Sequence, residues 1–180
     1  VKTFASQLRV YREVTGAAVT LDDPAHALAE VDRVLRFGKE TRLFTTLVLL
    51  RLDPGTGKGV VANAGHPFPL LLVEGKCREL SIPGLPLGQG PRRRYADLPF
   101  ELPGAGSLVL ASDGLYEGPD RFDVPYGYQR PTGVLERIGL WRRPAESILE
   151  ALFADWRTHV GPDAPADDTT ILVVRRASFS

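Results

Sequence analysis

The chain has 180 residues, 43% of them hydrophobic and 24% charged, and its net charge is zero. That suits one ordinary domain with a real core and excludes a disordered chain. Neutrality removes any global pull toward nucleic acid or an anionic membrane, and the longest apolar stretch, around "LFTTLVLL", is too short to cross a bilayer.

No charged start followed by an apolar core marks a signal peptide. The single cysteine, Cys77, cannot form an internal disulfide and suits a reducing cytoplasm. No His or carboxylate pattern surrounds it, so it reads as structural. The chain has no methionine and opens inside "VKTFASQLRVYREVTG", where Phe4, Leu8, Val10, Tyr11 and Val14 fall near helical spacing and Gly16 offers a stop. Such an opening is expected of a piece of a longer protein. "LDDPAHALAEVDRVLRFG" predicts a second helix. Asp22 or Asp23 caps it, Pro24 takes its first position, Gly38 ends it, and Ala27, Leu28, Val31, Val34 and Leu35 form the core stripe.

The period then changes. "RLFTTLVLLRLD" and "KGVVANAG" predict a hairpin across "PGTG", and "PLLLVEGKCRELS" two short strands around Glu74-Gly75. A loop rich in Gly and Pro, "IPGLPLGQGPRRR", precedes strands at "ADLPFEL" and "SLVLAS". "RPTGVLERIGL" and "RPAESILEALFADWRTHV" return to helical spacing, and "DDTTILVVRR" closes the chain as a strand. Strands grouped between helices predict an α+β fold. No repeat or long linker divides residues 1–180.

Several residues could carry chemistry. Asp113 follows a strand and Asp167-Asp168 precede one. If these strands are antiparallel neighbours, the carboxylates share one rim and suit Mg²⁺ or Mn²⁺; otherwise they are unrelated turn residues. His66, in "NAGHP", is either a site residue or a packed, capping histidine. It shares no zinc-ligand spacing with His26 or His159. "DPGTGKG" lacks the spacing of a phosphate-binding loop and reads as a hairpin turn. "RRR" (Arg92 to Arg94) is either a solvated loop or an attractor for a phosphorylated partner.

Taken in order, "RLFTTLVLLRLDPGTGKGVVANAGHPFPLLL", "GLPLG", "LPGAGSLVLASDGLYE" and "DDTTILVV" resemble the bacterial PPM-type (PP2C-like) phosphatases of the stage II sporulation E and sigma-factor-regulator group. The resemblance covers essentially the whole chain. It implies a β-sandwich of antiparallel sheets flanked by helices, and a serine/threonine phosphoprotein phosphatase with two Mn²⁺ or Mg²⁺ ions. It implies Asp113 and Asp167 as metal ligands, with Asp168 and Gly114 as further metal-site candidates (Asp168 buttressing the turn or orienting a water) and His66 as a second-tier site residue. Phe44-Thr45-Thr46 and Gly88 match family positions read as structural. The implied substrate is a phosphorylated regulatory protein of the anti-anti-sigma type, and an attached N-terminal sensor or regulatory domain is expected. One departure stands out: the family's earlier Gly-Asp-x-x-Gly-x-Gly segment, whose aspartate bridges the metals, does not occur in this sequence. The chain is therefore expected to be the C-terminal majority of the phosphatase domain and weakly active or inactive by itself. The rival expectation is a phosphatase-like module that binds or signals without hydrolysing anything.

Overall fold

Asp23 and Pro24 start the first helix as the sequence predicts. In the computed structural model, which describes residues 23–37, 44–89, 94–137, 139–162 and 167–177, α1 runs Pro24–Phe37. The Asp23 carboxylate accepts the His26 backbone N–H at 2.8 Å, and Asp97, far along the chain, accepts that of Ala25 at 2.9 Å. Two of the helix's orphan donors are thus satisfied. The helix expected over residues 4–14, its stop at Gly16, Asp22, Gly38, Arg92 and Arg93 all lie outside the described residues; Arg94 is exposed.

The remaining elements are β1 (Leu47–Leu52), β2 (Lys58–Ala64), β3 (Leu70–Val73), β4 (Lys76–Glu79), β5 (Leu98–Glu101), β6 (Ser107–Ala111), α2 (Asp113–Glu117), α3 (Gln129–Leu135), a 3₁₀ turn (Leu140–Arg142), α4 (Ala145–Val160) and β7 (Ile171–Arg175). Their contacts gather into two compact units. Among the described residues, the first takes in those up to Asp53, Lys58–His66 and those from Ile82 to Phe100, and the second Pro54–Gly57, Pro67–Ser81 and those from Glu101 on.

In the first unit β1, β2 and β5 form a sheet in the order β1-β2-β5. β1 and β2 pair antiparallel from Leu47 opposite Ala64 to Leu52 opposite Gly59. Because side chains alternate along a strand, Leu47 and Leu49 share a face with Ala62 and Ala64, and α1 closes it with Leu28 and Val31. Asp32 on α1 is buried, at 1% exposure. It is paired through both oxygens with Arg36 and also accepts the Gly88 N–H. A buried carboxylate is tolerated only when so satisfied.

The second unit holds a four-stranded antiparallel sheet in the order β4-β3-β6-β7. Glu74 and Gly75 join β3 to β4 with φ of 50° and 79°, the left-handed pair that a tight hairpin demands and that glycine accepts without strain. Leu70, Leu72 and Val109 meet Val134 and Leu135 of α3 and Ile148 and Leu152 of α4 in one core. A smaller cluster gathers Ala111, Leu115, Tyr116, Tyr126 and Trp156 around α2. A five-residue helix has no stability of its own. Burying Leu115 and Tyr116 contributes about 1.5–3 kcal/mol each, and that packing, not propensity, holds α2 in place.

Candidate metal centre

The site expected from sequence depends on β6 and β7 lying side by side, and they do. They pair antiparallel from Ser107 opposite Arg175 to Ala111 opposite Ile171. The end of β6 therefore meets the start of β7, and Asp113 emerges at the edge where residues 167–170 enter. An added Cβ at Gly114 would lie 2.5 Å from the Asp168 carbonyl oxygen, so the two segments touch through their backbones. Only glycine permits this approach.

Aspartate and glycine directly after a strand also suit a turn, but Asp113 and Gly114 do not form one. These residues open α2, with Ser112 as its N-cap. Aspartate followed by glycine matches both a turn and a helix start, and the buried Leu115-Tyr116 pair selects the helix.

Asp113, Asp167 and Asp168 are exposed. Asp113 accepts its neighbour Gly114's N–H at 3.1 Å, and Asp167 accepts that of Asp168 at 2.8 Å. Each of these bonds ties the carboxylate to the backbone of the next residue. Two stacked tyrosines stand by this edge. The rings of Tyr116 and Tyr128 lie 4.4 Å apart and nearly parallel, and burial together with the Glu117 and Asp113 charges holds the Tyr128 phenol above its ordinary range. The Thr169 hydroxyl is buried without a hydrogen-bond partner among the described residues. Among the described residues the edge offers oxygen donors only, which fits a hard cation such as Mn²⁺ or Mg²⁺ better than zinc. Among the described residues no group of three or more His, Cys, Asp or Glu side chains is arranged to hold a metal. A cation on Asp113 and Asp167 would therefore complete its shell with water or other oxygen donors.

His66 belongs to the first unit, whereas the three aspartates belong to the second. Its backbone is bracketed by Asn63, whose side-chain amide donates to the His66 carbonyl at 2.7 Å and accepts its N–H at 2.9 Å. Asn63 is itself buried, and Gly65 between them has a φ of 74°. Asn63 and Gly65 thus shape a tight turn, a role the sequence reading did not assign to them. Ser112 was also passed over; a serine directly before the Asp-Gly of a strand exit was the available signal.

A cavity of about 600 Å³ opens elsewhere in the second unit, lined in part by Arg130, Arg137, Asp155 and His159. Its charges are already engaged: Arg137 pairs with Asp155 and Arg130 meets His159 at 2.6 Å. It contains none of the edge aspartates.

The sequence profile of stage II sporulation protein E matches residues 5–177. The chain belongs to the stage II sporulation protein E family. No curated protein sequence matches it. Among solved structures it is similar to the SiaA-PP2C domain of Pseudomonas aeruginosa, at 22% identity and a TM-score of 0.74, over 94% of this chain and 65% of that one. It is similar also to the RsbU and RsbW domains of a Mycobacterium tuberculosis protein, at 25% identity and a TM-score of 0.67, over 97% of this chain and 48% of the other. A third likeness is the manganese-presoaked phosphatase domain of SpoIIE from Bacillus subtilis, at 13% identity and a TM-score of 0.65, over 100% of this chain and 77% of that one. The chain thus spans less than two thirds of the first two. The fold is the PP2C-like α+β fold, with antiparallel sheets and helices as expected.

Proposed function

We propose that residues 1–180 belong to a PPM-type phosphatase domain that, when complete, hydrolyses phosphoserine or phosphothreonine on a regulatory protein of the anti-anti-sigma type, in the cytoplasm, with Mn²⁺ or Mg²⁺. The supporting observation is the β6–β7 ladder, which carries Asp113 to the edge where residues 167–170 begin. Family membership and the likeness to a domain soaked with manganese support it further.

Asp113 and Asp167 are the anchors for metal and are not bases. Asp168 supports the turn, and Gly114 admits the close approach of the two segments. The family resemblance alone gives His66, in the first unit, a second-tier role. When bound, paired divalent cations supply a water of lowered pKa as nucleophile and offset charge on the phosphoryl oxygens. The chain's part is to hold its carboxylates in register by the ladder beneath them. Hydrolysis yields inorganic phosphate and the free Ser or Thr hydroxyl.

Asp113→Asn removes a charged ligand at nearly constant size. Mn²⁺ affinity, read by calorimetry, is expected to fall at least tenfold, on the order of what altered metal surroundings cost, with the far-UV circular dichroism unchanged. Residues 1–180 are expected to bind Mn²⁺ loosely and turn over slowly, because two carboxylates without a bridging third leave much of the shell to water. Equal Mn²⁺ binding by Asp113→Asn would overturn the site. Tight binding of two ions by these residues would overturn the expected weakness. Manganese binding without any phosphate release, even in the longest form of the protein, would favour the non-catalytic module.

A further inference from the structure

The geometry points to Ser112 as a positioning residue that sets the spacing of the two acidic segments, a role that rests on the metal reading above. In an antiparallel ladder every second opposed pair exchanges both backbone hydrogen bonds. Beyond Ala111 and Ile171 the next opposed pair is Ser112 and Thr170. One bond of the exchange is present: the Ser112 N–H donates to the Thr170 carbonyl at 3.0 Å. The other is not made by the backbone, because the Ser112 carbonyl has turned away to accept the Leu115 N–H, 3.1 Å off, in the first turn of α2.

The Ser112 side chain takes over. Its Oγ accepts the Thr170 N–H at 2.9 Å, in place of the departed carbonyl. Its own O–H then has one acceptor at hand, the Asp168 carbonyl at 3.2 Å. An N-cap serine ordinarily turns its hydroxyl to its own helix. Ser112 makes no such bond and spends the hydroxyl across the strands. The chain can therefore leave the sheet and begin α2 at Asp113 without stranding the Thr170 donor. The same hydroxyl ties down the residue that follows Asp167.

Asp113 follows Ser112 directly, and Asp167 is one residue before the carbonyl that Ser112 grips. Without the hydroxyl, residues 167–170 keep the single backbone bond to Ser112, and the distance between the carboxylates widens its range. Threonine carries the same hydroxyl on Cβ and should serve; alanine and valine cannot.

The test measures Mn²⁺ binding by the paramagnetic resonance of free Mn²⁺, together with hydrogen exchange at the Thr170 amide. Ser112→Ala, Ser112→Thr and Asp113→Asn are compared with the unaltered chain. Ser112→Ala is expected to speed Thr170 exchange and to weaken Mn²⁺ binding about three- to tenfold, the size of one or two lost hydrogen bonds. Ser112→Thr is expected to restore both. Faster exchange with unchanged Mn²⁺ affinity, while Asp113→Asn still weakens binding at least tenfold, would overturn the positioning role and leave the metal reading standing. Unchanged binding in Asp113→Asn would overturn both. Should alanine unfold the chain, Ser112→Thr and Ser112→Val, nearly equal in shape, isolate the hydroxyl, and equal Mn²⁺ affinity in that pair would sink the inference.

Discussion

Gly114 and the Asp168 carbonyl oxygen stand so close that an alanine methyl would come within 2.5 Å of that oxygen. The obstacle is backbone already held by the Ser112 hydroxyl, so it cannot swing aside as a flexible side chain would. Two effects oppose each other in Gly114→Ala. Alanine favours a helix over glycine by about 1 kcal/mol, whereas overpacking a fixed site costs about 1–3 kcal/mol. Sterics wins here. Urea unfolding is expected to show a net loss of up to about 2 kcal/mol, with Mn²⁺ binding weakened as the segments are forced apart. A stabilised Gly114→Ala chain would mean that the approach is looser than the structure has it.

The start of α1 offers a pH test with a definite sign. Accepting the His26 N–H holds the Asp23 carboxyl below its usual range. Burial, with the Asp23 charge adding to it, pushes Asp97 above its range. A carboxyl lowered on folding contributes stability above its unfolded pKa of about 3.9 and loses it as pH falls. Asp23→Ala is expected to cost about 1 kcal/mol at pH 7, the usual worth of a cap, and the gap from the unaltered chain should narrow below about pH 4. Asp97 has the opposite sign, since its proton is held more firmly in the folded chain. Asp97→Asn keeps an oxygen for the Ala25 N–H and removes the repulsion, so it should cost little at pH 7. Thermal unfolding across pH 3 to 7 separates the two; a gap for Asp23→Ala that grows toward acid would refute the assignment.

The parts legible in the sequence are those governed by local pattern. Asp23-Pro24 announced α1, Glu74-Gly75 its hairpin, and the apolar run at 171–175 its strand, because capping, turn chemistry and period act over a few residues. The neighbourhood of Asp113 and residues 167–170 was legible as a condition: it follows if β6 and β7 pair, and the ladder supplies that pairing. What escaped depends on contacts distant in sequence. The first turn of α2 is stabilised by Leu115 and Tyr116 against Trp156, and no five-residue pattern can announce that. Asp32 looks like any polar residue on a helix until Arg36 and Gly88 are seen to satisfy it. Ser112 is one serine among several until the strand opposite is in place.

Cys77 tests the structural reading of the lone thiol. It is half-buried against the core of the second unit, its backbone N–H donates to Glu136 at 2.9 Å, and burial pushes the thiol up to about 11. An acid raised on folding keeps its proton more firmly in the native chain. Its contribution to stability is therefore complete below the unfolded value of about 8.5 and is lost as pH rises through about 11. At pH 8 roughly one thiol in a thousand is ionised, against about a quarter of free cysteine, and the thiolate is the species that reacts. A disulfide reagent should therefore label the native protein on the order of a hundredfold more slowly than free cysteine, and at the ordinary rate in denaturant. Rapid labelling of the native chain at pH 8 would instead mark Cys77 as a reactive group and overturn its structural assignment.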